Sequence, residues 1–596
     1  MVYLSELQRS RSADRLDLSN QRFRALPVSL PEYSHIKVLV LADNIMTDLP
    51  QNLCALGKLE FLDVCRNRLE LLPEGFGLLT SLEVLRADDN KLPHLPRTFS
   101  KLPRLISCSL RRNLLTWLPT LVGRMDSVEE LLVEENPLRS PPQDVVAQGT
   151  RRILRYLGNL EYSERTCSLD LSALKLESVP LMVCRQTALT ELKLFKNVVS
   201  AVPVKLQRLT NLTRLVLSDN KLEVLPDFLH RFPHLQGFHA DDNLLTKCPE
   251  SVSALTNLIE LRLAGNQLDD LPHGLSRLLN LLLLDVSRNK LTTLSPASFK
   301  ALKKCEVLRL SSNALQRIPS EIESMSKLRE LHLGGNPLID IPPEICTLSH
   351  LGILSLQDTP NLFAPPPEVT TQGLEAVLFY LRRVFDAQRT GVLDLVWLGL
   401  KHLYINNEKL SHLTSLNLSG NDFVDLPHQI PHLTMLKTIT FNDNKLTVLP
   451  PGLGVITGLT MLSFRGNPVE SPPAEIVDRG TEAILRYLRR VWNANDTQFL
   501  DLSSQGIQTL HVSICLLSNI SRLTLDDNKC ETLPEEMGQL QRLEFLSLRN
   551  NKLTSLPGSL GLLNVQELLL DDNPTLRYLP PEMATMTTLV TLGHSG

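Results

Sequence analysis

One phrase recurs through the chain and leaves few folds open to it. Leu39-Val-Leu41-Ala-Asp-Asn44-Ile-Met-Thr-Asp-Leu49-Pro50 returns 23 residues later as Leu62-Asp-Val64-Cys-Arg-Asn67-Arg-Leu69-Glu-Leu-Leu72-Pro73. The pattern is L-x-L-x-x-N-x-L-x-x-L-P. Its Asn stands at 44, 67, 90, 113 and 136, then at 197, 220, 243, 266, 289, 313 and 336, then at 421, 444 and 467, and last at 528, 551 and 573. Imperfect copies centre on Gln21, Leu174, Thr359, Leu398 and Gln505, which gives 23 units, 18 of them with the Asn. A unit this short cannot bury its own Leu side chains, so its neighbours must complete one continuous core. The expected fold is an α/β solenoid.

Each part of the phrase has a physical task. The L-x-L step has period two and predicts a short strand with both Leu facing inward. Strands of successive units would stack in parallel, about 4.8 Å apart, as a concave sheet. The Asn stands where the chain leaves the strand, and its amide can pair backbone groups that a tight coil would otherwise bury unpaired. The Leu-Pro that follows fixes φ and omits a donor on the convex side. One unit departs: Asn289 and Asn313 are 24 residues apart, with Phe299 on the convex side.

Three segments break the rhythm: Pro141 to Leu157, Pro366 to Leu381 and Pro472 to Leu488. Each places a Gly (149, 373, 480) seven residues before a Tyr (156, 380, 487). After the Gly, apolar residues fall at helical spacing, as in Ile153, Leu154 and Leu157. Each segment reads as a short amphipathic helix on the convex side or at a module edge. Arg489 and Arg490 are expected near a helix end, where positive charge suits the dipole. After each helix the chain restarts with the words of its beginning: Leu169-Asp-Leu171, Leu393-Asp-Leu395 and Leu500-Asp-Leu502, as in Leu16-Asp-Leu18. The expected organisation is four arcs, at 1–166, 167–390, 391–497 and 498–596. The first three close with a helix and the fourth does not. One continuous sheet and four separate sheets are both compatible with this spacing.

Composition narrows the function classes. No apolar run approaches the ~18 residues of a membrane span. A formal net charge of −4 over 596 residues gives no reason to expect a nucleic-acid partner. Residues 1–10 lack the apolar core of a secretory leader. The ten Cys are scattered, with no metal-ligand spacing, and several stand where the repeat wants an apolar residue. A reducing, cytoplasmic setting is expected. No cofactor and no metal site is expected. There is no G-x-x-x-x-G-K-[ST], G-x-S-x-G or H-E-x-x-H, so the chain is expected not to be an enzyme. His239 and Asp241, two apart on one strand, are the only suggestion of an acid/base or metal pair, and they lack a nucleophile or a third ligand.

The repeat is identified as the leucine-rich repeat. Its 23-residue, Leu-Pro-rich form resembles the intracellular Ras-suppressor type. That resemblance implies a horseshoe that binds proteins in signalling, with small GTPases or phosphatases among the partners. The three helical segments are similar to the one that follows the repeats in Roco proteins. This raises an alternative: a regulatory region of a larger enzyme, a Roco-like GTPase or a ubiquitin ligase, whose catalytic domain lies outside this chain.

Outward strand positions stand at −6, −4, −2 and −1 relative to each Asn. There the leading reading places a protein partner. Aromatic and Arg residues are favoured interface anchors, and in this register they select Phe61, Arg66, Arg86, Arg111, Arg112 and Phe195, with His239 beside them. Trp397, Phe499 and Phe545 also fall on this face. For Trp397 and Phe499, in imperfect units, core packing is equally open.

Overall fold

The computed structural model describes residues 13–26 and 33–593. The N-terminal decapeptide read above, and the residues after Gly593, lie outside them. Each unit supplies a three-residue strand, and in Phe61–Asp63 the middle side chain, Leu62, is buried. Neighbouring strands pair in parallel one repeat apart, Phe61 opposite Val84 and Leu62 opposite Leu85. The convex side is made of 3₁₀ turns entered through proline, as at Pro50, Pro73 and Pro96. In the longer unit the extra residue widens this turn into a short α-helix, Pro296–Ala301, with Phe299 buried.

The Asn ladder holds the coils in register. Asn266 donates from Nδ2 to the carbonyls of Ala240 (2.9 Å), Leu263 (3.0 Å) and Ala264 (3.2 Å). Its Oδ1 accepts the Leu245 N–H at 3.1 Å. All four groups belong to tight coil backbone that cannot reach water.

The strands form four separate hydrogen-bonded ladders of six, nine, four and five strands. They run from Arg15–Asp17 to Glu130–Leu132, from Ser168–Asp170 to Ile353–Ser355, from Val392–Asp394 to Met461–Ser463, and from Phe499–Asp501 to Thr591–Gly593. The first unit of every ladder has its own bonding. Where the Asn is replaced, the Asn of the next unit accepts two backbone N–H groups instead of one. Asn44 takes those of Gln21 and Phe23, Asn197 those of Leu174 and Leu176, Asn421 those of Leu398 and Leu400, and Asn528 those of Gln505 and Ile507. By contact density the chain divides into two compact units. One carries the first two ladders and the other carries the last two, with the boundary inside the final repeats of the second ladder.

Three 17-residue helices stand between ladders: α1 (Thr150–Thr166), α2 (Leu374–Thr390) and α3 (Thr481–Thr497). Each follows a glycine with φ near 90° (Gly149 85°, Gly373 96°, Gly480 88°), a region closed to other residues. This is why Gly recurs at that place. The helices lie on the convex side and at a module edge at once. One flank of α1 packs on the turn Thr120–Arg124, where the buried Glu161 is paired with Arg124 and Arg165. Its other flank covers the open edge of the next ladder. Gln148, just before the helix, and Arg152, Arg155 and Asn159 donate to the carbonyls of Leu174, Ala173, Ser172 and Asp170. An exposed strand edge would otherwise present these acceptors to any passing strand.

At α3 the places of Gln148 and Asn159 are held by Arg479, just before the helix, to Gln505 O at 2.7 Å, and by Arg490, to Asp501 O at 2.8 Å. Arg489 and Arg490 therefore stand in mid-helix and not near its end, as the sequence suggested. They bind backbone carbonyls directly, Arg489 that of Gly454 at 2.6 Å. Among the described residues, no helix is long and apolar enough to cross a membrane.

Candidate binding surface on the concave sheets

The Leu and Asn scaffold fixes four outward columns on each ladder. In the first ladder, adjacent strands place Phe61 and Val84 in one column, Asp63 and Arg86 in the next, and Arg66, Asp89 and Arg112 in the last. Register at 23 residues sets neighbouring side chains of one column about 4.8 Å apart, close enough to pair. Most charges on this face are spent on one another. Arg66 is paired with Asp43, its Nη2 2.7 Å from Oδ2. Arg111 reaches Glu134 at 2.9 Å. Arg112 sits between Asp89 (3.5 Å) and Glu135 (3.2 Å). Arg86 differs: it meets no carboxylate and lies over the Phe61 ring, 5.7 Å from its centre. Of the residues selected from sequence in this ladder, the structure therefore joins Phe61 with Arg86 and ties Arg66, Arg111 and Arg112 into separate ion pairs.

The second ladder carries a denser network. Glu260 Oε2 receives Arg214 at 3.0 Å, His239 Nε2 at 2.9 Å and Arg262 at 3.8 Å. Arg214 reaches Glu260 across the intervening strand. It can do so because the residue between them is Gly237, where a Cβ would stand 3.2 Å from the guanidinium Nε. Glu191, Arg214, Gly237 and Glu260 line a shallow trough of about 410 Å³. Burial pushes the Glu260 carboxyl up, but His239, Arg214 and Arg262 outweigh it and leave it below its ordinary range. Burial, with Arg262 and Arg214 adding to it, holds the His239 imidazole below its ordinary range, against the pull of Glu260. A second group links Asp285, Arg309, Glu330 and His332. Neither Arg214 nor Glu260 was selected as a contact from sequence. The signal was their shared column, which becomes informative only when Gly237 is seen to open the way.

His239 is hydrogen-bonded to Glu260 and not to Asp241. The Asp241 carboxylate accepts the Ala264 N–H (3.0 Å) and the Ser218 hydroxyl (3.0 Å), and burial raises its pKa. Among the described residues no group of three or more His, Cys, Asp and Glu side chains gathers to hold a metal. Phe195 stands 44% exposed, apart from these networks.

The aromatics left open by sequence are on the surface. Trp397 is 73% exposed and Phe499 43%. Phe545 is half-buried, and the Arg522 guanidinium lies 4.3 Å from its ring centre. Arg522 stands opposite both rings in the strand register, so one column of the fourth ladder reads Phe499, Arg522, Phe545.

The fold and this surface define a leucine-rich-repeat solenoid, the class whose members serve in general as protein-interaction scaffolds. Two leucine-rich-repeat family models match, one over residues 280–338 and one over 412–433 and 542–563. The described residues have the leucine-rich-repeat solenoid fold, and the 23-residue unit is similar to that of the Ras-suppressor type. It is 33% identical over 79 residues to the plant intracellular Ras-group-related LRR protein 4 of Oryza sativa subsp. japonica, a match that spans 13% of this chain and 14% of that protein. Among solved structures it is similar to the Leptospira interrogans LRR protein LIC12759 (20% identity, 99% of this chain and 98% of that chain, TM-score 0.22). It is also similar to YopM from Yersinia enterocolitica WA-314 (21% identity, 100% and 94%, TM-score 0.20).

Proposed function

We propose that the chain is a non-enzymatic scaffold of intracellular signalling that binds protein partners on its concave face, with the Phe61–Arg86 pair as an anchor. The observation that carries this reading is the state of Arg86. In the first ladder's concave face the other described arginines are held by carboxylates, while Arg86 is held only by a ring. A cation on an aromatic keeps its N–H edge free for a partner, and both residue types are favoured hot spots. The paired charges around it set register and on-rate more than affinity.

A small GTPase or a phosphatase is the partner class that the resemblance supports. A cytoplasmic setting is supported by ten free thiols, eight of them buried as small apolar groups, and by the relative whose name calls it intracellular. Each of the first three ladders with its closing helix, and the fourth ladder without one, is read as one arc of the scaffold, with the boundaries at 166, 390 and 497.

The test is affinity capture from cytosol with the full chain beside a Phe61→Ala, Arg86→Ala, Arg111→Ala variant of unchanged circular dichroism. A partner recovered by the first and lost by the second supports the reading. Identical recoveries would remove the first ladder's patch from it.

A further inference from the structure

The three ladder-closing helices differ at one buried oxygen. Ser140, Ala364 and Ser471 hold the same place, each bridged to a residue one repeat earlier, Trp117, Asp340 and Val448. Tyr156, Tyr380 and Tyr487 follow them at equal spacing in α1, α2 and α3. At α1 the Ser140 hydroxyl donates to the Tyr156 oxygen at 3.5 Å, and at α3 the Ser471 hydroxyl bonds Tyr487. At α2 that hydroxyl is missing, because the residue is Ala364. Tyr380 is 2% exposed, and among the described residues its phenol has no hydrogen-bond partner. Buried polar groups are nearly always paired, and an unpaired one is costly.

The phenol borders a pocket between α2 and the segment that joins the first two strands of the third ladder. Ile341, Leu381, Val384 and Leu403 give it apolar walls, and its volume is about 40 Å³. At roughly 10–15 Å³ for each water-sized group, that admits about three non-hydrogen atoms. The lining has one carboxylate, Asp340, and one ammonium, Lys409, so it favours no ionised head group. Tyr404 links the pocket to the surface. It lines the pocket, and its ring centre lies 6.0 Å from that of Phe363, which is 55% exposed.

We infer that this pocket binds a small uncharged molecule with a hydroxyalkyl end and an aromatic body. The hydroxyl pairs with Tyr380, which can donate or accept. The two carbons behind it fill the apolar walls, and the ring lies against Tyr404 and Phe363, as aromatic pairs favour. A site that hydrogen-bonds a ligand hydroxyl rejects the analogue lacking it, because its own polar group is then left unpaired. The site lies between helix and ladder and is independent of the concave-face reading.

The chain supplies its own control. Ser stands at the Ala364 place in the other two junctions, so Ala364→Ser returns the internal partner of the phenol and fills the space beside it. The experiment is ligand-observed NMR titration of 2-phenylethanol against the full chain, beside propylbenzene, in which a methyl replaces the hydroxyl. The expected result is saturable binding of 2-phenylethanol, at least fivefold tighter than propylbenzene. Ala364→Ser should weaken it about tenfold or more at unchanged circular dichroism. Tyr380→Phe should bring the two ligands to equal affinity by weakening the alcohol alone. Absence of saturable binding to the wild-type chain overturns the inference, and so does equal binding of propylbenzene. An unchanged Kd in a folded Ala364→Ser chain, or a preference for the alcohol that survives Tyr380→Phe, overturns it as well.

Discussion

Asn197 and Asn266 look alike in sequence and do different work. Asn266, inside the second ladder, satisfies one neighbouring N–H, that of Leu245. Asn197 follows an imperfect unit and satisfies two, Leu174 at 3.0 Å and Leu176 at 3.0 Å. Both also donate to three carbonyls at comparable distances. Changing either to Ala removes those donations, and the carbonyls keep some strength through their second lone pairs. The difference is then one more orphaned backbone donor at Asn197. A buried donor left unpaired costs about 1–3 kcal/mol. Asn197→Ala should therefore exceed Asn266→Ala by about 2 kcal/mol, about 30-fold in a local opening constant.

A repeat array of this length need not unfold in one step, so a single melting temperature would mix contributions from distant units. Amide hydrogen exchange read by peptide mass spectrometry resolves the site. Peptides spanning residues 168–180 should lose protection in Asn197→Ala far more than peptides spanning residues 240–250 lose in Asn266→Ala. Equal losses, or a larger loss at Asn266, would refute the claim that the second accepted N–H closes the start of a ladder.

Other consequences are as direct. Gly123 and Gly158 bring the turn Thr120–Arg124 and α1 into backbone contact, and Gly454 does the same against α3, so Gly123→Ala should displace α1 and cost about 2 kcal/mol or more in urea denaturation. Burial pushes the phenols of Tyr156 and Tyr487 up to about 12. The folded chain therefore keeps these protons longer than the unfolded one, whose phenols titrate near ~10. Their contribution is intact below about pH 10 and is lost as pH rises toward 12, and Phe at both positions should flatten that part of the stability profile. Arg66→Ala and Arg112→Ala remove exposed ion pairs and should change stability by under about 1 kcal/mol, read by the same denaturation. With a thiol-reactive disulfide at pH 8, half-buried Cys167 should react before Cys248, whose thiol burial pushes up to about 12, and the eight buried thiols should follow only on unfolding.

The coil was legible because its cause is local. Leu at period two and Asn at a fixed distance each answer a need within one unit, so reading one unit reads them all. The first-unit signature was legible for the same reason: Gln21, Leu174, Leu398 and Gln505 mark where no previous coil needs an amide. The second face of the helices was not read, although its pattern was present. Gln148, Arg152, Arg155 and Asn159 fall at helical spacing and look like an ordinary solvated stripe. Only the position of the next strand turns them into an edge cover. Arg489 and Arg490 misled for a related reason. The helix runs on to Thr497, past the apolar residues that seemed to bound it.

The concave face was legible as a register and not as a set of partners. Column positions follow from the repeat, but pairing depends on how far each side chain reaches along its column. Arg66 and Arg86 are one unit apart and differ by two column steps. One finds Asp43 and the other finds Phe61. This has a consequence for recognition by any repeat sheet of this kind. Strands 23 residues apart set like columns side by side, so opposite charges in adjacent units neutralise one another before a partner arrives. Such pairs are exposed and worth little, so a partner displaces them at low cost and gains little from them. Discrimination then falls to what the columns leave over: a guanidinium on a ring at Arg86 and at Arg522, and an exposed Arg465 without an ion pair. Those residues, and not the more numerous charged pairs, are where substitutions should change which partner binds.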